Sequence, residues 1–426
     1  MKRPVAVFAV ALTLILTGCP HQPAPDAGSG ATPVATGDKS VVRFLAMEYD
    51  TNTRPFMDKL EEKFEAANPD IDLRIEVIDW DAGKQKLSTL ISADNAPDLA
   101  NIATIWLPEL ANLDVIQPLD NLVSDAMRER FVPKTLRGAT YDDELLGLPI
   151  AVSARALYCN SKLLAAAGAE IPTDWDELLQ TARACTDRDN GVYGFGIQGA
   201  KTETDIYFYY FLWANGGRIL NEDKTKAVFD SPEGIEALQF MIDMIHEQQV
   251  TEPDTTAYDR EDLQELFKSE RLAMFITGPW FWGMLDKDVP SLKYELAPIP
   301  KNKEQVTMAV TDNLVMFKSC EDKQAALRFI EFFYDHDLRV EWAETFGMLP
   351  ELKSVANSNY ITESKQWSLL MSLLPSGRFV PLHPRWTTIS NEVRDAMQEA
   401  QLQTKTPDQA LHDTAERVNT ILADTD

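Results

Sequence analysis

Short apolar runs alternate along the chain with longer segments whose apolar residues recur at helical spacing. Residues 41–47, 73–78 and 99–102 have the length and bulk of buried strands. Residues 55–67 and 84–92 lie between them and place their apolar side chains on one helical face. This alternation predicts an α/β domain with a mainly parallel sheet and helices on both faces.

Residues 269–282, SERLAMFITGPWFW, combine a predicted strand, a turn and a cluster of aromatic side chains. The apolar run 272–276 ends at Gly278-Pro279, where the backbone must turn, and Trp280 follows at once. Open α/β sheets bind ligands in a crevice beyond their strand ends, so large aromatic residues at this point suggest a binding surface. Core packing is the alternative for each ring.

Later in the chain, residues 205–215 form a strongly aromatic helical segment that ends at two glycines. Thr173, Ser319 and Thr406 each precede a segment with helical spacing and are predicted to cap it. Pro407 behind Thr406 supports a helix start there, because proline suits the first helical position.

The N-terminus carries a targeting signal. Lys2-Arg3 precede an apolar run over residues 5–16 that is too short to span a membrane. The run ends in Leu16-Thr17-Gly18-Cys19, which resembles a bacterial lipobox, where cleavage before the cysteine leaves a thiol that carries lipid. We therefore expect a lipoprotein signal peptide over residues 1–18, with an ordinary signal peptide as the alternative. Residues 19–40, rich in Pro, Ala, Gly, Ser and Thr, read as a flexible tether.

Composition narrows the class of protein. The chain has 426 residues, 45% of them hydrophobic and 25% charged, which is typical of a globular protein. Its net charge of -27 disfavours nucleic acid and anionic membrane surfaces as partners. Cys159, Cys185 and Cys320 are an odd set without C-x-x-C spacing, which favours small buried side chains. A disulfide between Cys159 and Cys185 is the alternative, and the sequence does not decide between the two.

No catalytic or metal-binding pattern stands out. The five histidines are scattered, and the sequence has no H-E-x-x-H, G-x-S-x-G or Walker motif. Residues 194–199 match G-x-G-x-x-G, but the polar segment before them favours a glycine-rich strand and loop over a dinucleotide site. We therefore expect no metal, no cofactor and no enzyme.

Several motifs, in their order, resemble those of extracellular solute-binding proteins family 1, the maltose-binding type of bacterial ABC importer receptor. They are A-P-D-L at 96–99, W-L-P-E-L-A at 106–111, Q-P-L-D at 117–120, G-L-P-I at 147–150, W-A-N-G-G at 213–217, S-P-E at 231–233, G-P-W at 278–280 and F-G-M-L-P at 346–350. Asp114 and Cys159 depart from the usual Gly and Tyr of that pattern.

The resemblance implies a fold and a domain organisation. The fold is the periplasmic-binding-protein-like type II, with two α/β lobes, a hinge and a ligand cleft between the lobes. Its expected boundaries are 41–147 for lobe one, 148–304 for lobe two, 305–346 for a return to lobe one, and 347–426 for lobe two with the C-terminal helices.

The implied function is that of a lipid-anchored receptor that binds a sugar or oligosaccharide and delivers it to a permease. A pyranose offers an apolar C–H face to aromatic rings and a rim of hydroxyls to carboxylates. On this chemistry the predicted ligand contacts are Glu48, Trp106, Tyr207, Trp280, Asp312 and Trp386, and core packing or plain surface is the alternative for each. Another polar solute, such as a polyol phosphate or polyamine, and a lipid-anchored carbohydrate-cleaving enzyme are the alternative functions.

The resemblance also sets the expected partners and location. They are a carbohydrate ligand, ABC transporter permease subunits and a bacterial membrane reached through lipidated Cys19, with the protein facing the periplasm or the exterior. Nucleic acid is not an expected partner, and the expected form is a monomer.

Overall fold

The computed structural model describes residues 39–200 and 203–424, so the predicted signal peptide, Cys19 and most of the predicted tether lie outside the described residues. Twelve strands lie in these ranges: β1 Ser40–Met47, β2 Ile71–Ile78, β3 Leu99–Ala103, β4 Thr140–Tyr141, β5 Glu144–Leu145, β6 Leu148–Ala154, β7 Ala156–Asn160, β8 Tyr193–Phe195, β9 Leu272–Thr277, β10 Tyr294–Ala297, β11 Thr307–Met316 and β12 Gly377–Arg378.

Eighteen α-helices occupy the same described ranges: α1 Thr53–Ala67, α2 Trp80–Ser92, α3 Leu107–Asn112, α4 Asp125–Arg128, α5 Pro133–Leu136, α6 Ser161–Ala167, α7 Trp175–Cys185, α8 Thr204–Ala214, α9 Pro232–His246, α10 Arg260–Lys268, α11 Trp280–Asp288, α12 Lys323–Phe333, α13 His336–Phe346, α14 Lys353–Ala356, α15 Asn359–Thr362, α16 Lys365–Leu373, α17 Trp386–Gln401 and α18 Pro407–Ala423. None of these helices has the length and apolar character that crossing a membrane requires. Short 3-10 turns lie at Thr104–Trp106, Arg137–Ala139, Arg188–Asn190, Thr255–Ala257 and Leu374–Ser376.

The first sheet is built around the long strand β11. Its order is β12-β11-β3-β1-β2, and β6 also pairs with β11. β2 and β3 run parallel to β1, as the alternation of strands and helices predicts. β11 runs antiparallel to β3 and β6, and its first two residues pair in parallel with β12. This strand therefore joins the parallel half of the sheet to β6.

The second sheet has the order β10-β7-β9-β8. β7 runs antiparallel to both β9 and β10, and only β8 and β9 are parallel. We call β1–β6, β11 and β12 with helices α1–α5 and α12–α14 the first lobe. The second lobe comprises β7–β10 with helices α6–α11, α17 and α18. Each lobe has its own large apolar core.

Three segments of chain pass between the lobes. Arg155 alone separates β6 in the first sheet from β7 in the second. Residues 298–306 lead back from β10 to β11, and residues 379–385 lead from β12 to α17. The boundaries predicted from the sequence put the first passage between residues 147 and 148 and the last one at residue 347. In the structure β6 still pairs in the first sheet, and Leu352 packs in the core of the first lobe.

Helix caps show where local sequence was informative. Thr406 caps α18 in a capping box, as predicted. The predicted caps Thr173 and Ser319 are both corrected: Asp174 caps α7 and Asp322 caps α12. A carboxylate close to the first turn accepts from the free backbone N–H groups and is also stabilised by the helix dipole.

The three cysteines in the described residues are buried and free, so the Cys159–Cys185 bridge is not formed. Burial raises the pKa of Cys185 to about 11 and that of Cys320 to about 12. Burial also raises the pKa of Cys159. Thiols held protonated in this way are poor nucleophiles, which agrees with the packing role predicted for them.

A buried ion pair fixes the helices of the first lobe to its sheet. Arg339 on α13 donates to the Glu351 carboxylate at 2.6 Å, and both side chains are nearly inaccessible to solvent. The same guanidinium also donates to the carbonyl of Ile150 in β6 and lies 4.8 Å from the ring of Trp342. The pair therefore ties α13, the segment after it and β6 together.

Glu351→Gln is expected to lower the free energy of unfolding by about 3–5 kcal/mol, because it leaves the Arg339 guanidinium buried without its counter-charge. Glu341→Gln is the matched control, since Glu341 pairs with Lys59 at the surface and such pairs contribute about 0–1 kcal/mol. Urea unfolding followed by tryptophan fluorescence measures both changes. Equal losses in the two variants would contradict the role assigned to the buried pair.

Candidate functional site

A cavity of about 270 Å³ lies between the two lobes. The first lobe contributes the end of β3 and part of β11, and the second contributes the start of α8 and of α17. The lining residues are Ala103, Thr104, Ile105, Arg155, Glu203, Asp205, Ile206, Met308, Ala309, Val310, Thr311, Phe379, Val380, Trp386, Thr387, Ser390 and Arg394. We call this space the cleft cavity. It combines apolar walls with a few convergent polar groups, as ligand sites do.

Buried hydrogen bonds fix the wall of the cleft cavity on the first lobe. The Thr104 hydroxyl donates to the Thr311 carbonyl at 2.5 Å. The Asn313 amide donates to the Thr104 hydroxyl at 2.9 Å and to the Gly138 carbonyl at 2.8 Å. Gly138 is required here, because a Cβ would lie 2.0 Å from the Thr311 hydroxyl oxygen. These hydrogen bonds hold the wall in one arrangement, and the Asn313 side-chain oxygen is buried there without a hydrogen-bond partner.

Charged groups on two helices form the wall of the second lobe. Asp205, in the first turn of α8, accepts from the Ser390 hydroxyl at 2.7 Å and from the Arg394 guanidinium at 2.9 Å. Its side chain is 3% exposed, whereas that of Arg394 is 27% exposed. The guanidinium also donates to the Asn391 side-chain oxygen at 3.4 Å. The buried carboxylate therefore holds the arginine in place while its guanidinium stays partly exposed, where it can meet a polar ligand.

Arg155 occupies the passage between the lobes and lines the cleft cavity. Its backbone N–H donates to the Thr307 hydroxyl at 2.9 Å, and its guanidinium donates to the Ser153 hydroxyl at 2.9 Å. Arg155 as a whole is only 8% exposed to solvent. A cation buried to this extent needs acceptors or counter-charges near it. Burial raises the pKa of the nearby Asp312 carboxyl, and the positive charge of Arg155 opposes that rise.

The ring of Trp280 packs against the Arg155 guanidinium. Its ring centroid lies 4.7 Å from the Arg155 guanidinium carbon and 5.4 Å from that of Arg260, both within cation–π range. Arg260 in turn pairs at 3.2 Å with Glu203, which lines the cleft cavity. The ring folds over Gly278, where a Cβ would lie 2.1 Å from a ring carbon. Trp280 therefore contacts two cations, and the close approach of its ring explains the glycine of the G-P-W motif.

Asp312 belongs to a second polar group beside the passage. Its carboxylate accepts from the Tyr49 hydroxyl at 2.9 Å, which itself accepts from the Asn101 amide at 3.0 Å. Burial raises the pKa of Asp312 to about 7, against the opposing effects of the Tyr49 hydrogen bond and the Arg155 charge. Glu48, the neighbour of Tyr49, is exposed, and its backbone N–H donates to the Ile78 carbonyl at 2.7 Å.

The remaining predicted site residues have different surroundings. Trp386, at the start of α17, lines the cleft cavity. Trp106 is buried beside Trp80, with ring centroids 5.7 Å apart, and the Thr104–Trp106 turn that contains it contributes two other residues to the lining.

The placement of Tyr207 corrects the prediction that it faces a ligand. It is 1% exposed, and its hydroxyl donates to the Ile276 carbonyl at 2.9 Å. The cause is the apolar character of α8 on all sides, which buries the helix in the second lobe.

Sequence reasoning missed Arg155, Phe379 and Arg394. Arg155 had a readable signal, because it is the one charged residue in the apolar segment 148–159. A charge at the centre of such a segment costs energy unless it has a special environment. Phe379 and Arg394 gave no comparable signal, since single aromatic and charged residues are common in irregular segments and on helix surfaces.

Within residues 39–200 and 203–424, no group of three or more His, Cys, Asp or Glu side chains is placed to hold a metal ion.

Known proteins resemble this chain over most of its length. The profile of the family described as bacterial extracellular solute-binding protein matches residues 49–339. A binding protein of Brucella abortus is 36% identical over 391 residues, which is 91% of this chain and 95% of the relative. The maltotriose-binding protein of Pyrococcus abyssi is 24% identical over 348 residues, 80% of this chain and 73% of that one.

Solved structures extend the comparison to the fold. An ABC transporter solute-binding protein of Thermotoga lettingae, bound with α-D-tagatose, aligns with a TM-score of 0.80 and 28% identity over 90% of this chain and 100% of its own. This likeness confirms the predicted fold class, the periplasmic-binding-protein-like type II with two α/β lobes, a hinge and a cleft between them. From the extent of the family match and the identity to its relatives, the chain belongs to the bacterial extracellular solute-binding protein family.

Proposed function

We propose that this chain is the receptor subunit of an ABC importer and binds a sugar or oligosaccharide in the cleft cavity. The observation that carries the proposal is the cavity itself, which lies between two lobes and joins apolar surface to oriented charged groups. One relative whose name specifies maltotriose, and a solved neighbour bound with tagatose, support a saccharide as the class of ligand.

The lining suits the two faces of a sugar ring. Phe379, Trp386 and Ile206 offer apolar surface to the C–H face of a pyranose. Arg155, Arg394 and Glu203 offer charged donors and acceptors to its hydroxyls. The volume of about 270 Å³ is just below the range of drug-sized pockets, about 300–1,000 Å³.

The other predicted ligand contacts have supporting roles in this proposal. Trp280 and Asp312 act on the ligand through Arg155. The Trp280 ring contacts the Arg155 guanidinium, and the Asp312 carboxyl interacts electrostatically with it. Glu48 and Trp106 do not line the cleft cavity and stay predicted ligand contacts.

Ligand binding is proposed to close the lobes about the three passages between them. A ligand shifts a conformational equilibrium only when it binds one form more tightly than the other. A sugar that touches Thr311 on the first lobe and Arg394 on the second lobe makes all of its contacts only when the lobes are together. The closed form would then dock on the permease and release the ligand chemically unchanged.

Calorimetric titration of the purified protein with neutral mono-, di- and oligosaccharides tests this function. At least one sugar is expected to bind, to reduce the radius of gyration in small-angle scattering, and to be recovered intact by chromatography. Cleaved products would favour the carbohydrate-cleaving alternative. A tight ligand that leaves the scattering curve unchanged would contradict closure.

Phe379→Ala tests the site itself. Loss of the ring removes a stacking contact of about 0.5–1.5 kcal/mol together with some apolar burial, so affinity should fall about tenfold or more. Phe332→Ala is the matched control, because Phe332 is also half-buried but packs on Phe64 at the far side of the first lobe. Calorimetry measures affinity and urea unfolding measures stability. An equal loss of affinity in both variants would argue against the cleft cavity as the site.

We also propose that the protein is anchored by lipid on Cys19 and faces the periplasm or the exterior as a monomer. The support is the sequence Leu16-Thr17-Gly18-Cys19 after an apolar run. Cys19→Ser should abolish incorporation of labelled fatty acid and release the protein from the membrane fraction. Cys320→Ser is the control, because that thiol is buried in the first lobe. Unchanged labelling of Cys19→Ser would refute the anchor.

A further inference from the structure

A second cavity, of about 420 Å³, lies beside the cleft cavity and is lined by basic side chains. Lys134 and Arg137 reach it from the first lobe, Arg218 from the second, and Arg378 from β12. Trp213 and Phe379 complete its aromatic part, and no acidic residue is among its lining. We call it the basic cavity. In a chain with 67 acidic and 40 basic residues, four cations around one space are a marked local excess.

Carboxylates of the protein neutralise only half of these cations. Arg378 pairs with Glu304 and Arg218 pairs with Glu222. Within the described residues, neither Lys134 nor Arg137 has an ion-pair partner. Two positive charges at the edge of the cavity are thus not neutralised by a carboxylate of the described residues.

The cations of the basic cavity repel one another. Partial burial lowers the pKa of Lys134, and the positive charges of Arg137 and Arg378 lower it further. Like charges held this close destabilise the charged state of each. A negatively charged group between them would reverse the effect, and guanidinium groups bind carboxylate, sulfate and phosphate oxygens with paired hydrogen bonds.

The two cavities share a wall, so one ligand can reach both. Phe379 lines the cleft cavity and the basic cavity alike. Arg137 directly precedes Gly138, whose carbonyl belongs to the hydrogen-bonded wall of the cleft cavity. An ideal Cβ on Gly138 would lie 3.2 Å from the Phe379 ring, so the ring closely approaches this backbone. A saccharide in the cleft cavity therefore has the basic cavity as its neighbour across one aromatic ring.

From this arrangement we infer that the ligand is an acidic saccharide, whose sugar ring occupies the cleft cavity while its carboxylate, sulfate or phosphate group occupies the basic cavity. The inference rests on the proposed function and narrows its substrate class. Lys134 and Arg137 supply the unpaired positive charge, and Phe379 contacts the sugar unit between the two cavities.

Matched ligands test the inference. Neutral saccharides are titrated beside their uronate, 6-sulfate and 6-phosphate forms, with inorganic sulfate and inorganic phosphate as further probes. At least one acidic form is expected to bind about tenfold or more tightly than its neutral parent. This preference should weaken as salt rises from 0.05 to 0.5 M, because added ions screen the attraction. The three acidic forms also distinguish which anion the cavity takes.

Variants locate the effect. In Lys134→Gln/Arg137→Gln, the ratio of the neutral to the acidic dissociation constant should fall toward one. The control is Lys59→Gln/Arg74→Gln, which removes the same two charges from the surface of the first lobe, away from both cavities. The control should keep the full preference, and urea unfolding checks that both proteins are folded.

Each result decides the question. Equal binding of neutral and acidic forms overturns the inference and leaves the proposed function intact. A preference that survives in Lys134→Gln/Arg137→Gln, or is lost equally in the control, also overturns it. Binding of inorganic anions as tight as that of the acidic sugars would overturn it too, because the anion alone would then be recognised. Failure of every saccharide to bind would refute the sugar-binding function and the inference with it.

Discussion

The structure depends on keeping the charge of Arg155 in the passage between two lobes. A single residue links β6 of the first sheet to β7 of the second, and that residue carries a guanidinium with little access to solvent. Such a charge is tolerated only where acceptors, aromatic faces and opposite charges surround it. Ser153 accepts from it, and Trp280 presents its ring. These neighbours come from both lobes, so relative motion of the lobes changes the environment of one cation and provides a physical link between ligand and closure.

Much of the fold could be predicted because buried strands and helices require apolar residues at characteristic spacings in the sequence. The apolar run 272–276 is strand β9, and the aromatic segment 205–215 is helix α8. Pairing between distant strands leaves no such pattern. β11 is ten residues long, and its first half pairs with β6 and β12, which lie far from it in the sequence. The glycines at 194–199 illustrate the same limit: a Cβ at Gly194 would lie 1.9 Å from the Ala182 carbonyl oxygen, so they serve packing between elements.

The candidate site was harder to predict than the fold, for a related reason. Trp386 lines the cleft cavity and stays a predicted ligand contact, and its signal was a large aromatic residue at the end of an irregular, proline-rich segment. Tyr207 was misplaced because an aromatic residue near a glycine-rich loop gives the same signal whether it faces a ligand or a core. The basic cavity could not be predicted from the sequence. Its cations are separated by up to 244 positions, from Lys134 to Arg378, and each alone is an ordinary surface residue.

Charge gives the basic cavity a role beyond affinity. Most of the surface of a protein with net charge -27 repels an acidic solute, so attraction depends on a local excess of cations. Lys134 and Arg137 belong to the first lobe and Arg218 to the second, and repulsion between them opposes the approach of the lobes. An anion held between these side chains removes that repulsion and so binds the closed form more tightly than the open one. A ligand charge in the basic cavity would therefore shift the equilibrium between the open and closed forms toward the closed one. Ligand contacts with Arg155 in the cleft cavity would shift it in the same direction, so the two cavities would act together on closure.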